Sequence, residues 1–112
     1  MSEGTQDIHP NDGRPVPDLS VVVPLYNEEE SLPVLHGEIR AALDPTGMDY
    51  EVIYVDDGSR DRTLSIARDL AAGDAHVVVV ALRRNYGQTP ALQAGIDQTP
   101  GRTVISMDGD LQ

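Results

Sequence analysis

Tyr50-Glu51-Val52-Ile53-Tyr54-Val55-Asp56-Asp57-Gly58-Ser59-Arg60-Asp61 sets the architecture of this 112-residue chain. The first six residues are β-branched, aromatic or otherwise suited to an extended, buried segment, and the run ends in a polar turn carrying glycine. Adjacent aspartates on an extended chain face opposite ways. One of Asp56 and Asp57 can therefore point at a ligand while the other braces the loop, although Asp-Asp-Gly-Ser is equally at home in an ordinary turn. Ser59 or Asp61 can then cap a helix whose apolar face is Leu64, Ala67, Leu70 and Ala71, ended by Gly73-Asp74.

The same unit recurs on either side. Upstream, Leu19-Ser20-Val21-Val22-Val23-Pro24 reads as a strand buried on both faces, and Tyr26-Asn27-Glu28 begins a polar loop. The loop enters a helix with Ser31 as cap, Pro33 in the first turn, and Leu32, Leu35, Ile39 and Leu43 on one face. His36 reads as a surface residue of that helix, and Asp44-Pro45-Thr46-Gly47 stops it. Downstream, Val77 to Leu82 is a third apolar strand. The loop Arg83-Arg84-Asn85-Tyr86-Gly87 follows, then Thr89-Pro90 as cap and first residue of a helix packing through Ala91, Ala94 and Gly95. Val104-Ile105-Ser106-Met107 is the fourth strand, running into Asp108-Gly109-Asp110-Leu111-Gln112. If that extended run continues, Asp108 and Asp110 project to one side and form a hard oxygen site suited to Mg²⁺ or Mn²⁺, with Gln112 able to add a carbonyl oxygen. By itself Asp-Gly-Asp is also a common polar turn.

Strand and helix alternating in this way imply an α/β fold: a mostly parallel sheet with right-handed crossovers and helices on both faces. In such sheets ligands bind beyond the carboxyl ends of the strands. Every polar cluster above follows a strand's carboxyl end, so Tyr26-Asn27-Glu28, Asp56-Asp57, Arg83 to Gly87 and Asp108-Asp110 are expected on one rim.

Composition narrows the function. Residues 1–18 are polar and rich in Pro, Gly and Asp, and read as a disordered tail; residues 19–112 form the folded part. Acidic residues outnumber basic ones 19 to 8, a formal charge of -11. That balance argues against nucleic acid and against electrostatic docking on anionic lipid. With no cysteine, thiolate metal sites and disulfides are excluded. No apolar run reaches membrane-spanning length, and the polar N-terminus is unlike a signal peptide.

Four motifs in order, Val23-Pro24-Leu25-Tyr26-Asn27-Glu28, Val55-Asp56-Asp57-Gly58-Ser59-Arg60-Asp61, Arg84-Asn85-Tyr86-Gly87 and Met107-Asp108-Gly109-Asp110-Leu111-Gln112, resemble the amino-terminal half of a family 2 glycosyltransferase. The closest likeness is to the polyprenyl-phosphate, dolichol-phosphate mannose synthase-like sugar transferases. The resemblance implies a Rossmann-like GT-A fold cut off after the Asp-x-Asp strand. It implies a UDP- or GDP-linked sugar as donor, a lipid phosphate as acceptor, and an inverting transfer assisted by Mg²⁺ or Mn²⁺. Pro24, Tyr26, Glu28, Val55 and Asp57 would border the nucleoside, and Arg84, Asn85 and Gly87 would shape the donor pocket. Asp108 and Asp110 would be the catalytic Asp-x-Asp pair meeting ribose and metal–diphosphate, with Gln112 completing the metal site.

Members of that family continue well past the Asp-x-Asp motif. A fragment is therefore expected, one requiring a C-terminal half for turnover, and a non-catalytic nucleotide-binding remnant is the alternative. The resemblance implies a cytoplasmic location, or the cytoplasmic face of a membrane for the longer protein. A haloacid-dehalogenase-type phosphatase would place its aspartates early and use a threonine where Gln112 stands. A receiver domain would need its acidic pair after the first strand. Both of these also use a lysine, and this chain has none.

Overall fold

A computed structural model describes residues 4–6, 16–99 and 103–107. Five strands form one sheet: β1 (Gly4–Gln6), β2 (Leu19–Leu25), β3 (Tyr50–Asp56), β4 (Val77–Leu82) and β5 (Thr103–Ser106), in the order β1-β4-β3-β2-β5. The last four run parallel, and β1 lies antiparallel on the outer edge of β4. Helices α1 (Ser31–Leu43), α2 (Thr63–Gly73) and α3 (Gln88–Asp97) link them. The α/β architecture expected from the strand–helix alternation is the one found.

The period-2 alternation of the strands divides the core in two. Val21, Val23, Val52, Tyr54, Val77 and Val79 pack with Leu32, Leu35 and Ile39 of α1 and Ala67 of α2. Val22, Ile53, Val55, Val78 and Val80 face the other way, toward Ala91 of α3. α3 sits very close to the sheet: a Cβ on Gly95 would lie 2.4 Å from Val22 Cγ1 and 2.8 Å from Val55 Cγ2. β5 is exposed along its whole length, with Val104 and Ile105 open to solvent.

Several local readings need correction. Gly4–Gln6, inside the stretch read as a disordered tail, pairs with Leu82, Ala81 and Val80; the unpaired edge of β4 offers backbone partners that the tail's composition does not reveal. Helix starts fall one or two residues from the expected caps. Glu30 stands at the N-cap of α1, without a side-chain cap, and Ser31 is already helical. Gly87 (φ 104°) precedes α3, so Thr89 and Pro90 lie inside its first turn.

His36 is buried rather than on the surface. It belongs to a polar network at the amino ends of the strands. Its Nδ1 is 2.7 Å from the Tyr54 hydroxyl and its Nε2 is 2.8 Å from Asp74 Oδ2. An Nε2–H facing the carboxylate leaves Nδ1 to accept the Tyr54 O–H. Asp74 also accepts from Arg40 Nη1 at 2.6 Å and from the backbone N–H of His76 at 2.9 Å, and His76 Nδ1 lies 2.8 Å away. Burial alone would raise the Asp74 carboxyl, but donors from His76, His36 and Arg40 outweigh it and hold the group well below the usual carboxylate range. Arg40 continues to Asp44, which accepts the Tyr50 hydroxyl at 2.6 Å, and Tyr50 stacks on His76 at 4.1 Å.

Candidate functional site

At the carboxyl ends of the strands, the first two rim loops are stitched together by hydrogen bonds between backbone and side chains. In the β2–α1 loop, Asn27 N–H donates to Ser59 Oγ at 2.9 Å, and Asn27 Oδ1 accepts the Arg60 N–H at 2.9 Å. Glu28 N–H donates to Thr63 Oγ1 at 2.7 Å, and Glu29 Oε1 accepts the Arg62 N–H at 2.9 Å. Asp61 accepts from Glu29 N–H at 3.3 Å and from Thr63 N–H at 2.8 Å, so it serves both the neighbouring loop and the start of α2. Neither cap candidate for α2 stands at its N-cap, which is Arg62: Asp61 lies one residue earlier and accepts the Thr63 N–H, and Ser59 is used across the loop.

The second and third loops are joined through Asp57. Its Oδ1 accepts Tyr86 N–H at 2.8 Å; its Oδ2 accepts Gly87 N–H at 3.0 Å and Asn85 Nδ2 at 3.2 Å. Gly58 (φ 71°) lets the loops meet: a Cβ there would fall 2.3 Å from the Arg84 carbonyl carbon and 2.4 Å from Asn85 N. Any other residue would collide with backbone and also occupy a left-handed conformation.

The two aspartates do divide their roles, as opposite-facing neighbours can. Asp57 is the brace. Asp56, on the α1/α2 side, accepts the Ser59 N–H at 3.1 Å through Oδ2, while its Oδ1 is buried without a partner among the described residues. Burial pushes the Asp56 carboxyl above its usual value, against the lowering effect of Ser59.

The structure brings Pro24, Asp57, Asn85 and Gly87 together around the carboxyl ends of β2 and β3. Val55 has no accessible surface and lies beneath α3, so it supports the rim from below. Tyr26 is 42% exposed at the top of β2, and Glu28 is half-buried. The Arg84 guanidinium lies over the Tyr86 ring, 4.8 Å from its centroid. Asp108, Asp110 and Gln112 lie outside the described residues. The chain reaches the rim just before them, where Met107 N–H donates to Val22 O at 3.1 Å. Among the described residues, no group of three His, Cys, Asp or Glu side chains can hold a metal ion.

β2 and β5 are the neighbours at which the direction of the sheet order reverses, the place where open α/β sheets form a binding crevice. A small cavity of about 180 Å³ lies there, lined by Pro24, Gln88, Leu92, Ser106 and Met107.

A sequence model described as glycosyl transferase family 2 matches residues 20–112. The chain belongs to this family. It is 48% identical over 99 residues to an undecaprenyl-phosphate 4-deoxy-4-formamido-L-arabinose transferase from Pseudomonas fluorescens (strain SBW25). That match takes in 88% of this chain and 29% of the relative. The enzyme of the same name from Pectobacterium atrosepticum is 47% identical over 98 residues, covering 87% of this chain and 30% of the relative. The chain thus spans less than a third of the length of these relatives.

Among solved structures, S. aureus TarS 1-349 in complex with UDP superposes with a TM-score of 0.73 at 30% identity, over 83% of this chain and 27% of that one. The mannosyltransferase PcManGT from Pyrobaculum calidifontis, in complex with GDP-Man and Mn2+, gives 0.75 at 27% identity, over 95% and 31%. The GT-A expectation agrees with these neighbours.

Proposed function

We propose that this glycosyltransferase segment supplies the nucleotide-sugar half-site of an enzyme that moves a sugar from a UDP- or GDP-linked donor to a polyprenyl phosphate. The observation that carries the reading is the interlocked rim beside the β2–β5 crevice in a family 2 chain. Support for the acceptor comes from the names of the relatives, and support for the donor from the nucleotides bound by the structural neighbours.

In this reading the exposed Tyr26 ring and Glu28 border the nucleoside, with Pro24 beneath. Asp57 acts mainly by holding the Asn85 side-chain amide and the backbone N–H groups of Tyr86 and Gly87; among the described residues its Oδ1 takes a single donor, which leaves it able to accept another from a base or ribose. Arg84 supplies the third loop's positive charge for the donor's phosphates, since the Tyr86 and Gly87 N–H groups are taken by Asp57. Asp108, Asp110 and Gln112 form an all-oxygen donor set that fits Mg²⁺ or Mn²⁺. A bound divalent ion supplies charge neutralisation for the departing diphosphate. The phosphate acceptor is already anionic, so no strong base is required for its attack. Displacement from the face opposite the leaving group inverts the anomeric carbon.

A lipid-phosphate acceptor places the reaction at a membrane surface, on its cytoplasmic face. The formal charge is -11, and no described helix is long and apolar enough to cross a membrane. Because this chain matches 29% of its relatives, it is expected to bind donor without completing transfer by itself.

Calorimetric titration with UDP and GDP, with and without Mn²⁺, tests the half-site. Metal-dependent binding that Asp110→Ala abolishes is expected. A folded chain that binds neither nucleotide would refute a preformed half-site, and glycosyl transfer by the 112-residue chain alone would refute its dependence on further sequence.

A further inference from the structure

Asn27 is the one non-glycine residue with positive φ among the described residues, at 54°. It stands between Tyr26 and Glu28, the two side chains that the proposed reading sets against the nucleoside. Asparagine tolerates the left-handed conformation better than most residues because its short amide can bond locally. Here the amide bonds across to the next loop instead. Asn27 Oδ1 takes the Arg60 N–H, while the Asn27 backbone N–H goes to Ser59 Oγ. Arg60 and Ser59 directly follow Gly58, the residue packed against the third loop. Asn27 is exposed, so the geometry is set by these two bonds and not by burial.

We propose that Asn27 is a positioning residue: its left-handed backbone turns Tyr26 outward and Glu28 inward, and its amide oxygen locks that turn onto the β3–α2 loop through Arg60. The inference rests on the nucleotide-site reading for its ligand, but the lock itself is a property of the two loops. Asn27 thereby links the first motif of the chain to the second, and through Gly58 and Asp57 to the third.

Three variants separate the components. Asn27→Ala removes the acceptor and disfavours the left-handed backbone. Asn27→Gly restores the backbone but not the acceptor. Asn27→Asp keeps both and deletes the amide donors, so it tests whether Asn27 instead donates to the ligand. Each is measured by its UDP and GDP dissociation constants with Mn²⁺ and by hydrogen exchange at the Arg60 and Glu28 amides; melting midpoints check that each is folded.

Asn27→Ala should weaken nucleotide binding about tenfold, the scale of one lost hydrogen bond plus a strained turn. Asn27→Gly should weaken it about threefold, and Asn27→Asp less than twofold. Arg60 exchange should quicken in the first two and stay native in the third. Any pattern in which binding and Arg60 protection part company overturns the proposal, including weak binding by Asn27→Asp with Arg60 still protected. If the unmodified chain binds neither nucleotide, the site reading fails by itself. Exchange then decides the lock: protection lost in Asn27→Ala and kept in Asn27→Asp upholds it, and unchanged protection in both overturns it.

Discussion

Asp56 is buried and Asp74 half-buried, at opposite ends of the same sheet, and they are treated in opposite ways. Asp74, at the amino ends, is surrounded by Arg40, His36 and His76 and is held below its usual carboxylate range. Asp56, at the carboxyl ends, has one oxygen without a partner among the described residues, and burial raises its carboxyl from the ordinary value. Buried polar groups are normally satisfied, and the exceptions gather at functional sites. The amino end therefore spends its polar groups on each other, whereas the carboxyl end spends them on fixing loop backbones and leaves Tyr26 in solvent. One end consolidates the fold; the other, in the proposed reading, shapes a surface for a nucleotide.

The sharpest way to break the carboxyl end is Gly58→Ala. The added Cβ meets the Arg84 and Asn85 backbones at 2.3 and 2.4 Å, and the φ of 71° is unfavourable for alanine. A loss of about 3 kcal/mol in a urea melt is expected, together with loss of nucleotide binding. Asp74→Asn strikes the other end. It should cost about 2 kcal/mol at pH 7 and leave nucleotide affinity unchanged in the surviving folded protein.

The pH dependence carries the same sign logic. The Asp74 carboxyl is lowered on folding, so its stabilisation is present above the ordinary carboxylate range, about pH 4, and is lost as pH falls below it. The wild-type advantage over Asp74→Asn should shrink on acidification. Asp56 is raised on folding, so its contribution is favourable in acid and is lost as pH rises through its folded value. Asp56→Asn should therefore gain stability relative to wild type as pH rises from 4 to 7 in paired denaturant melts, the reverse of Asp74→Asn. Smallest in stability is Tyr26→Ala, within about 0.5 kcal/mol because the ring is exposed. Calorimetry should nevertheless show weaker nucleotide binding.

The strands and helix faces were legible because valine-rich runs and the Leu32-Leu35-Ile39 spacing are local, one-dimensional signals. His36 was misread although it falls on the same stripe, four residues after Leu32 and three before Ile39; its polarity masked the position. Its partner Asp74 lies 38 residues away and carries no local sign of the pairing. β1 was missed for a related reason, since Gly4-Thr5-Gln6 has no strand pattern and is ordered by the edge of β4. The rim as a set of polar clusters was readable from where each strand ends. That Asp57 braces the third loop, and that Asn27 reaches Arg60, depends on how loops approach one another, which spacing along the chain does not encode. Asp108, Asp110 and Gln112, the proposed metal ligands, lie outside the described residues.

The most direct test of the contrast between the two ends is amide hydrogen exchange across the whole chain, with and without nucleotide and Mn²⁺. The account predicts new protection confined to residues 24–28, 56–60 and 84–88 and to the chain following Met107, with residues 36–50 and 74–76 unchanged. Protection that gathers instead around His36, Tyr50 and Asp74, or that appears nowhere at saturating UDP and GDP, would contradict it.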